Sequence, residues 1–161
     1  MPTATTPTID LCDDLVAALT TSWAPAAPNS VERDYFPRYG DGDDDTIALG
    51  NGRKVVVKPA DYGFRWEIRG RDLYTHNVTV FVTERWTQPG MPTREWIDER
   101  VNWVHLFIVQ GFDFGRAGGP SWNRQLITLS HDVRFVTAEV EQMGHLFQAV
   151  VDFEFEESVD V

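Results

Sequence analysis

The sequence is short of cysteine, of basic residues and of long apolar runs, and each shortage excludes a class of protein. Cys12 is the only thiol, so no internal disulfide can form, and its helical context predicts a small buried hydrophobe. No apolar run approaches the roughly 20 residues that cross a bilayer, so we expect no membrane partner. The N-terminal stretch MPTATTPTID lacks the basic and apolar regions of a secretory signal, which predicts synthesis in the cytosol.

Basic residues are outnumbered by acidic ones, 14 to 25, which gives a net charge of −11. Binding DNA from outside needs a basic surface that neutralises phosphates, so we expect no sequence-specific nucleic-acid binding. An acidic surface repels a passing duplex, although acidity also simply keeps a protein soluble. No Lys or Arg follows Arg134, whereas arginines are frequent between Arg33 and Arg100. This polarity favours head-to-tail contacts between identical copies, which close a ring.

Groups of residues that perform catalysis or hold a metal are also missing. Asp41, Asp43 and Asp45 alternate as in a calcium loop, but Thr46 and Gly52 stand where glycine and glutamate are needed. The serines lack the strand-turn-helix elbow of a hydrolase, and no glycine cluster is followed by the lysine of a phosphate loop. The histidines are not spaced as zinc ligands: His76, His105, His131 and His145. We predict no catalytic residue, no metal and no cofactor, and therefore no enzyme.

The sequence does contain alternating helical and extended patterns, which predict one domain over residues 8–156. Apolar spacing predicts one helix over Thr8–Trp23 and another from a Thr93 cap to about Gln110. Asp61-Tyr62-Gly63 is interpreted as a break. Residues 1–7 are predicted to form a flexible arm and residues 157–161 an acidic tail. Extended segments are predicted at Val31–Pro37, Lys54–Lys58 (buried on both faces), Trp66–Gly70, Tyr74–Trp86, Leu126–Val133 and His145–Glu156.

The last extended segment has the clearest period of two. The opposite positions of this strand are polar, except at Leu146 and Val150. The order helix, strands, helix, strands predicts an α+β fold, with a mainly antiparallel β-sheet and two principal α-helices packed on one face. The apolar positions that fall on one face are Phe147, Ala149, Val151, Phe153 and Phe155.

Planar and guanidinium side chains precede a block of carboxylates between Val31 and Asp45, as contact between subunits requires. Six tryptophans are many for one small domain, so we expect some in the core and others on a contact surface. The candidate subunit or tube interface consists of Arg33, Tyr35, Phe36, Arg38, Tyr39 and Trp86. The candidate acidic loop facing a channel consists of Asp41, Asp43, Asp44 and Asp45.

Three stretches, in this order, resemble the tail terminator proteins (tail completion or neck proteins) of long-tailed bacteriophages: VERDYFPRYGDGDDDTIALGNGRKVVVKP, YTHNVTVFVTERW and FQAVVDFEF. The resemblance lies in pattern and order from about Ile9 to Glu156, and the tryptophan content and the Gly111–Trp122 loop depart from it. It implies a homo-oligomer, a hexameric ring, that caps the finished tail tube, with the major tail tube protein and the head-tail connector proteins as partners. DNA would pass through its centre, and the protein would reside at the neck of the virion.

Two other functions stay open. One is a head-closure or stopper protein, another neck component, which would bind the portal-side adaptor instead of the end of the tail tube. The other is a small-ligand domain or enzyme with a pocket lined by tryptophans. The choice of protein partner separates the first alternative from a tail terminator, and a metabolite that raises the melting temperature would favour the second.

Overall fold

The computed structural model describes residues 6–20, 28–35, 53–67, 70–86, 88–114, 124–135 and 146–160. Two α-helices are present in these segments: α1 (Pro7–Ala18) and α2 (Arg94–Trp103). Five strands form one sheet: β1 (Pro28–Arg33), β2 (Arg53–Glu67), β3 (Arg71–Arg85), β4 (Gln125–Phe135) and β5 (Leu146–Asp160).

The strands lie side by side in the order β1-β2-β3-β5-β4. The β2–β3, β3–β5 and β4–β5 pairs are antiparallel, while β1 is parallel to β2. Both helices contribute to one apolar core on one side of the sheet, which we call the helix face; the opposite side is the far face. The predicted α+β class, with a mainly antiparallel sheet and helices on one face, is confirmed.

Helix α1 begins where its sequence predicts a start. Pro7 occupies the first turn, and the Thr6 hydroxyl accepts a hydrogen bond from the Ile9 amide at 3.4 Å. Thr6 and Pro7, which were assigned to the flexible arm, therefore belong to the start of this helix. Leu11, Cys12 and Leu15 form its buried side, as the apolar spacing predicts. Trp23 lies outside the described residues.

The second helical segment changes its geometry before it ends. Thr93 caps α2, as predicted, by accepting from the Trp96 amide at 3.3 Å. From Val104 to Val109 the turns are π-helical, and the Gln110 amide bonds to the His105 carbonyl at 2.9 Å. The wider turn buries Val104, Ile108 and Val109. Within the described part of the chain, no helix is long and apolar enough to cross a membrane.

Strand β2 corrects the predicted break at Asp61-Tyr62-Gly63. The strand passes through these residues to Glu67, with an irregularity in its pairing with β3 between Pro59 and Asp61. Gly63 has no positive φ, so it adopts extended backbone like any other residue there. The chain turns later, where Gly70 has a φ of 79°. Trp66 and Glu67 thus end β2 and do not start a separate strand.

Strand β5 confirms the period of two and extends beyond the predicted end. Its alternate residues from Phe147 to Phe155 are all buried in the core on the helix face. Glu157 to Asp160, which were assigned to an acidic tail, pair with β3 inside the sheet. On the far face, the buried Val150 pairs in register with Phe81 of β3, and Phe81 in turn pairs with Val56 of β2. This second apolar row explains why Val150 interrupts the polar pattern, and why Val55–Val57 are buried on both faces as predicted.

Candidate functional site

The sheet has two edges whose outer sides are not covered by another described strand. On one side, β1 stays in register with β2 only as far as the Arg33–Val57 pair. Beyond it, β2 runs on through Ala60–Arg65, which we call the outer segment, with β3 as its only strand neighbour in the described chain. On the other side, β4 is the last described strand. Such edges present backbone groups that are able to pair with another chain.

Large apolar side chains are exposed on both edges. Tyr62 and Phe64 in the outer segment are 49% and 45% exposed. On β4, Ile127, Leu129 and Phe135 are 48%, 45% and 38% exposed. Exposed large apolar side chains that cluster on a surface often mark contact with another protein. The two edges are therefore the strongest candidate contact surfaces of the described chain.

Of the six predicted interface residues, three are described, and they do not form one patch. Arg33 forms an ion pair with Asp13 of α1, with 2.6 Å between Nε and Oδ1, and this hydrogen bond raises the pKa of the guanidinium. Tyr35 is exposed and lies near the outer segment at the rim of a shallow cavity. Trp86 donates its indole N–H to the Gly90 carbonyl at 3.1 Å. Arg33 thus holds β1 to α1, and its predicted contact with another subunit stays a prediction.

The other predicted contact residues lie outside the described residues. They are Phe36, Arg38 and Tyr39 of the interface and Asp41, Asp43, Asp44 and Asp45 of the acidic loop. Their roles at an interface or a channel stay predictions.

The described tryptophan side chains pack mainly inside the subunit. Trp86 meets Trp96 edge-on at 5.2 Å between ring centroids, and Trp96 meets Phe147 edge-on at 6.3 Å. Trp103 is buried and stacks on Phe107 at 5.7 Å. Trp103 thus has the expected role in the core. The half-buried Trp86 and Trp96 pack at the edge of the core, next to α2.

A buried ion-pair network joins α2 to the sheet. Glu84, which is 8% exposed, accepts from Arg53 at 2.9 Å and from Arg100 of α2 at 3.0 Å. Each guanidinium also lies over an indole ring, Arg53 at 4.1 Å from Trp103 and Arg100 at 4.3 Å from Trp96. Glu84 is thus paired with two arginines inside the subunit, and the network links α2 to the sheet.

A second charged network joins α1 to the ends of β4 and β5. Arg124 bonds to Asp14 of α1 at 2.6 Å and to the buried Glu157 at 2.7 Å. Behind Glu157, the fully buried His76 shares a hydrogen bond of 2.8 Å between its Nδ1 and the Thr8 hydroxyl. The Nε2 atom of His76 has no hydrogen-bond partner and is 4.0 Å from Glu157. Burial, together with the positive charge of Arg124, lowers the pKa of His76 to about 4.

Two cavities adjoin this end of the molecule. The first, of 490 Å³, lies beside Arg124 and Glu157, which neutralise one another. Ser158 lines it, but its hydroxyl has no hydrogen-bond partner, so no base activates it as a nucleophile. The second, of 370 Å³, lies between Thr6, Tyr35 and Tyr62. In the described segments, no cluster of three His, Cys, Asp or Glu side chains is placed to hold a metal ion.

Cys12 is fully buried, and burial raises the pKa of its thiol to about 12. Because the thiolate is the reactive form, we expect native protein to resist a thiol-specific reagent at pH 8. The same protein in denaturing guanidinium chloride should be labelled completely within minutes, which serves as the control. Rapid labelling of the native protein would contradict this packing of α1, and mass spectrometry of the intact chain measures both reactions.

The exposed part of the far face carries charges of both signs, and its cations include Lys58, Arg65, Arg71 and Arg134. Glu154 and Glu156 on β5 point to this side, as do Asp132 on β4 and Asp61 on β2. Asp152 lies between them, forms an ion pair with Arg134 at 3.0 Å and accepts a hydrogen bond from the Thr79 hydroxyl at 2.7 Å. Part of the negative charge of the chain therefore lies on this surface of strand residues, among positive charges.

The exposed residues of the outer segment and the partners in the buried networks are not predicted by local sequence patterns. In the sequence, Tyr62 and Phe64 alternate with Asp61, Gly63 and Arg65. This period of two is typical of a strand, but the interpretation of the segment as a break concealed it. The partners in the buried networks are far apart in sequence, as His76 and Glu157 show. No local spacing signals such pairs, so only the fold brings them together.

Comparison with protein-family models gives no match to this chain, and comparison with curated proteins gives none either. The case for a function therefore depends on the residues themselves, above all on the two sheet edges and the charged far face.

Proposed function

We propose that this chain is a structural assembly protein of the tail-terminator type, which forms a ring at the top of a phage tail. In this proposal the ring is a hexamer that caps the completed tail tube, and its other side meets the head connector proteins. DNA passes through the centre, and the protein resides at the neck of the virion.

The observation that carries this proposal is the pair of exposed edges on opposite sides of one sheet. Each copy has one edge with Tyr62 and Phe64 and a different edge with Ile127 and Phe135. Two different surfaces that recognise each other give head-to-tail contacts, which close into a ring when the rotation between copies divides a full turn. A protein with one self-complementary patch would stop at a dimer instead.

The carboxylates of the far face support the part of the proposal that concerns DNA. Carboxylates at Asp61, Asp132, Glu154 and Glu156 repel phosphates, so a duplex that passes such a surface does not adhere to it. Three of the described arginines, Arg53, Arg100 and Arg124, are held in ion pairs with the buried Glu84 and Glu157. Both features suit a conduit for DNA better than a DNA-binding protein.

The proposal predicts self-association that becomes stronger at the end of a tail tube. Purified chain should give a closed oligomer by light scattering and cryo-electron microscopy, at least when terminator-free tail tubes are present. Ring-shaped density at one end of each tube would support a terminator. Binding to head-side adaptors without any binding to tubes would instead favour a stopper protein. A chain that stays monomeric at high concentration and never joins tubes would overturn the proposal.

A further inference from the structure

The outer segment of β2 and the end of β4 match one another along their length. The outer segment, Ala60–Arg65, is exposed throughout and contains neither proline nor lysine, the residues that commonly protect a sheet edge. On β4, the pairing irregularity with β5 lies between Thr128 and Ser130, and His131–Phe135 beyond it is regular. After the irregularity at Ala60, Asp61–Arg65 is likewise regular, so each segment offers a regularly paired edge of about five residues.

The side chains of the two edges are complementary on the helix face of the sheet. In the outer segment, Tyr62 and Phe64 lie on the helix face, since they are in register with His76 and Tyr74. On β4, Val133 and Phe135 lie on that face, where Phe135 contacts Phe147 at 6.2 Å between ring centroids. A sheet that continues from one copy to the next keeps its faces, so these apolar residues would meet.

On the far face, an antiparallel pairing of the two edges places residues of opposite charge across from one another. With the two edges antiparallel and Phe64 opposite Val133, Arg65 of one copy lies opposite Asp132 of the next. Tyr62 then lies opposite Phe135. Within the described chain, neither Arg65 nor Asp132 has an ion-pair partner.

Asp132 is moreover at a position that needs a cation. It lies directly opposite Asp152 in the β4–β5 pair, and like charges in opposite positions destabilise a sheet. Arg134 compensates Asp152 at 3.0 Å but forms no ion pair with Asp132. A guanidinium from outside the subunit would relieve the repulsion that remains at Asp132.

We infer that copies of this chain join edge to edge, with β4 of one copy adding as an antiparallel strand to the outer segment of the next. The sheet is thereby continuous around the oligomer, Phe64 packs on Val133, and Arg65 pairs with Asp132. This inference rests on the proposed self-assembly and specifies the surface and register through which it occurs.

Charge exchange at the Arg65–Asp132 pair tests the register. Arg65→Asp alone and Asp132→Arg alone should each remove the oligomer at a concentration at which the wild-type chain is oligomeric. The double variant, Arg65→Asp with Asp132→Arg, should restore it. Both positions are exposed, and Asp132→Arg places a cation opposite Asp152, so circular dichroism should show folded subunits in every case.

Disulfide trapping gives a second readout. Chains with Phe64→Cys mixed with chains with Val133→Cys should form a covalent dimer on mild oxidation, while neither variant alone should do so. Phe64→Cys mixed with Phe135→Cys is the control, because a shift of two residues places the sulfur atoms too far apart. The buried Cys12 does not compete. The charge-exchange and trapping experiments are performed on the full chain, with tail tubes added if the wild type alone is monomeric.

The outcomes separate this inference from the proposed function. Restored assembly in the double variant and trapping only in register support the edge contact. Rings that form equally well in wild type and all variants, or trapping in the control pair alone, would overturn the edge contact and leave the ring intact. A wild-type chain that forms no oligomer under any of these conditions would overturn both.

Discussion

Replacing Glu84 with alanine is expected to lower the free energy of unfolding by about 3 kcal/mol, because it leaves two mostly buried guanidinium groups without their shared carboxylate. The side chains of Arg53 and Arg100 are only 13% and 16% exposed and lie 2.9 and 3.0 Å from Glu84. Their stacking on Trp103 and Trp96 keeps them in place after the substitution, so neither charge escapes readily to water. Urea unfolding followed by tryptophan fluorescence measures the change.

Glu99 provides a matched control on the same helix. It pairs with the same Arg100 at 2.9 Å, but its side chain is 75% exposed, so Glu99→Ala should cost less than about 1 kcal/mol. Glu84→Gln, which keeps the shape and one acceptor oxygen, should fall between the two. If Glu84→Ala and Glu99→Ala destabilised the chain equally, the network would not be the link between α2 and the sheet that its burial indicates.

The parts of the fold that the sequence predicts well are those in which one face repeats. α1 and β5 each have an unbroken apolar row of the right period, and both lie where that period predicts them. The α-helical part of the first ends at Ala18, and residues 19–20 continue it as π-helix. Thr93 is followed by a helix because its hydroxyl accepts from the Trp96 amide, a local interaction that needs no knowledge of the rest of the chain.

The errors arise where tertiary pairing overrides local preference. Asp61-Tyr62-Gly63 has the composition of a turn, yet pairing with Asn77, His76 and Thr75 of β3 holds it extended. The buried part of the far face, where Val150 lies in register with Phe81, could not be inferred from β5 alone. A second apolar row becomes visible only when the strand neighbours are known.

The same reason limits what the sequence could tell about the candidate site. Arg33 is predicted to contact another subunit or the tube, and that stays a prediction. Its partner inside the subunit, Asp13, is 20 residues away on α1, and no local pattern indicates this pair. The edge residues Tyr62 and Phe64 were hidden by the predicted break. A contact surface defined by the ends of a sheet becomes apparent only when the strand order is known.

Acidification between pH 6.5 and pH 4 is expected to remove about 3 kcal/mol of stability through His76 alone. In the folded chain its pKa is lowered from 6.5 to about 4, so the buried ring stays neutral while the unfolded chain takes up a proton. Stability from this residue is complete above pH 6.5 and is lost as the pH falls toward 4, at up to about 1.4 kcal/mol per pH unit. His76→Gln, which cannot titrate, should lose less over the same interval.

The quantity to compare is the slope of the unfolding free energy with pH, since His76→Gln also changes the baseline stability by altering the bond to Thr8. Carboxylates titrate in both proteins, so their contribution cancels in the difference between the two slopes. Above pH 6.5 the two curves should run parallel, and below it they should converge. Equal slopes from pH 6.5 to pH 4 would mean that His76 is not held neutral by burial. The buried position of His76 between Thr8 and Glu157 would then be wrong.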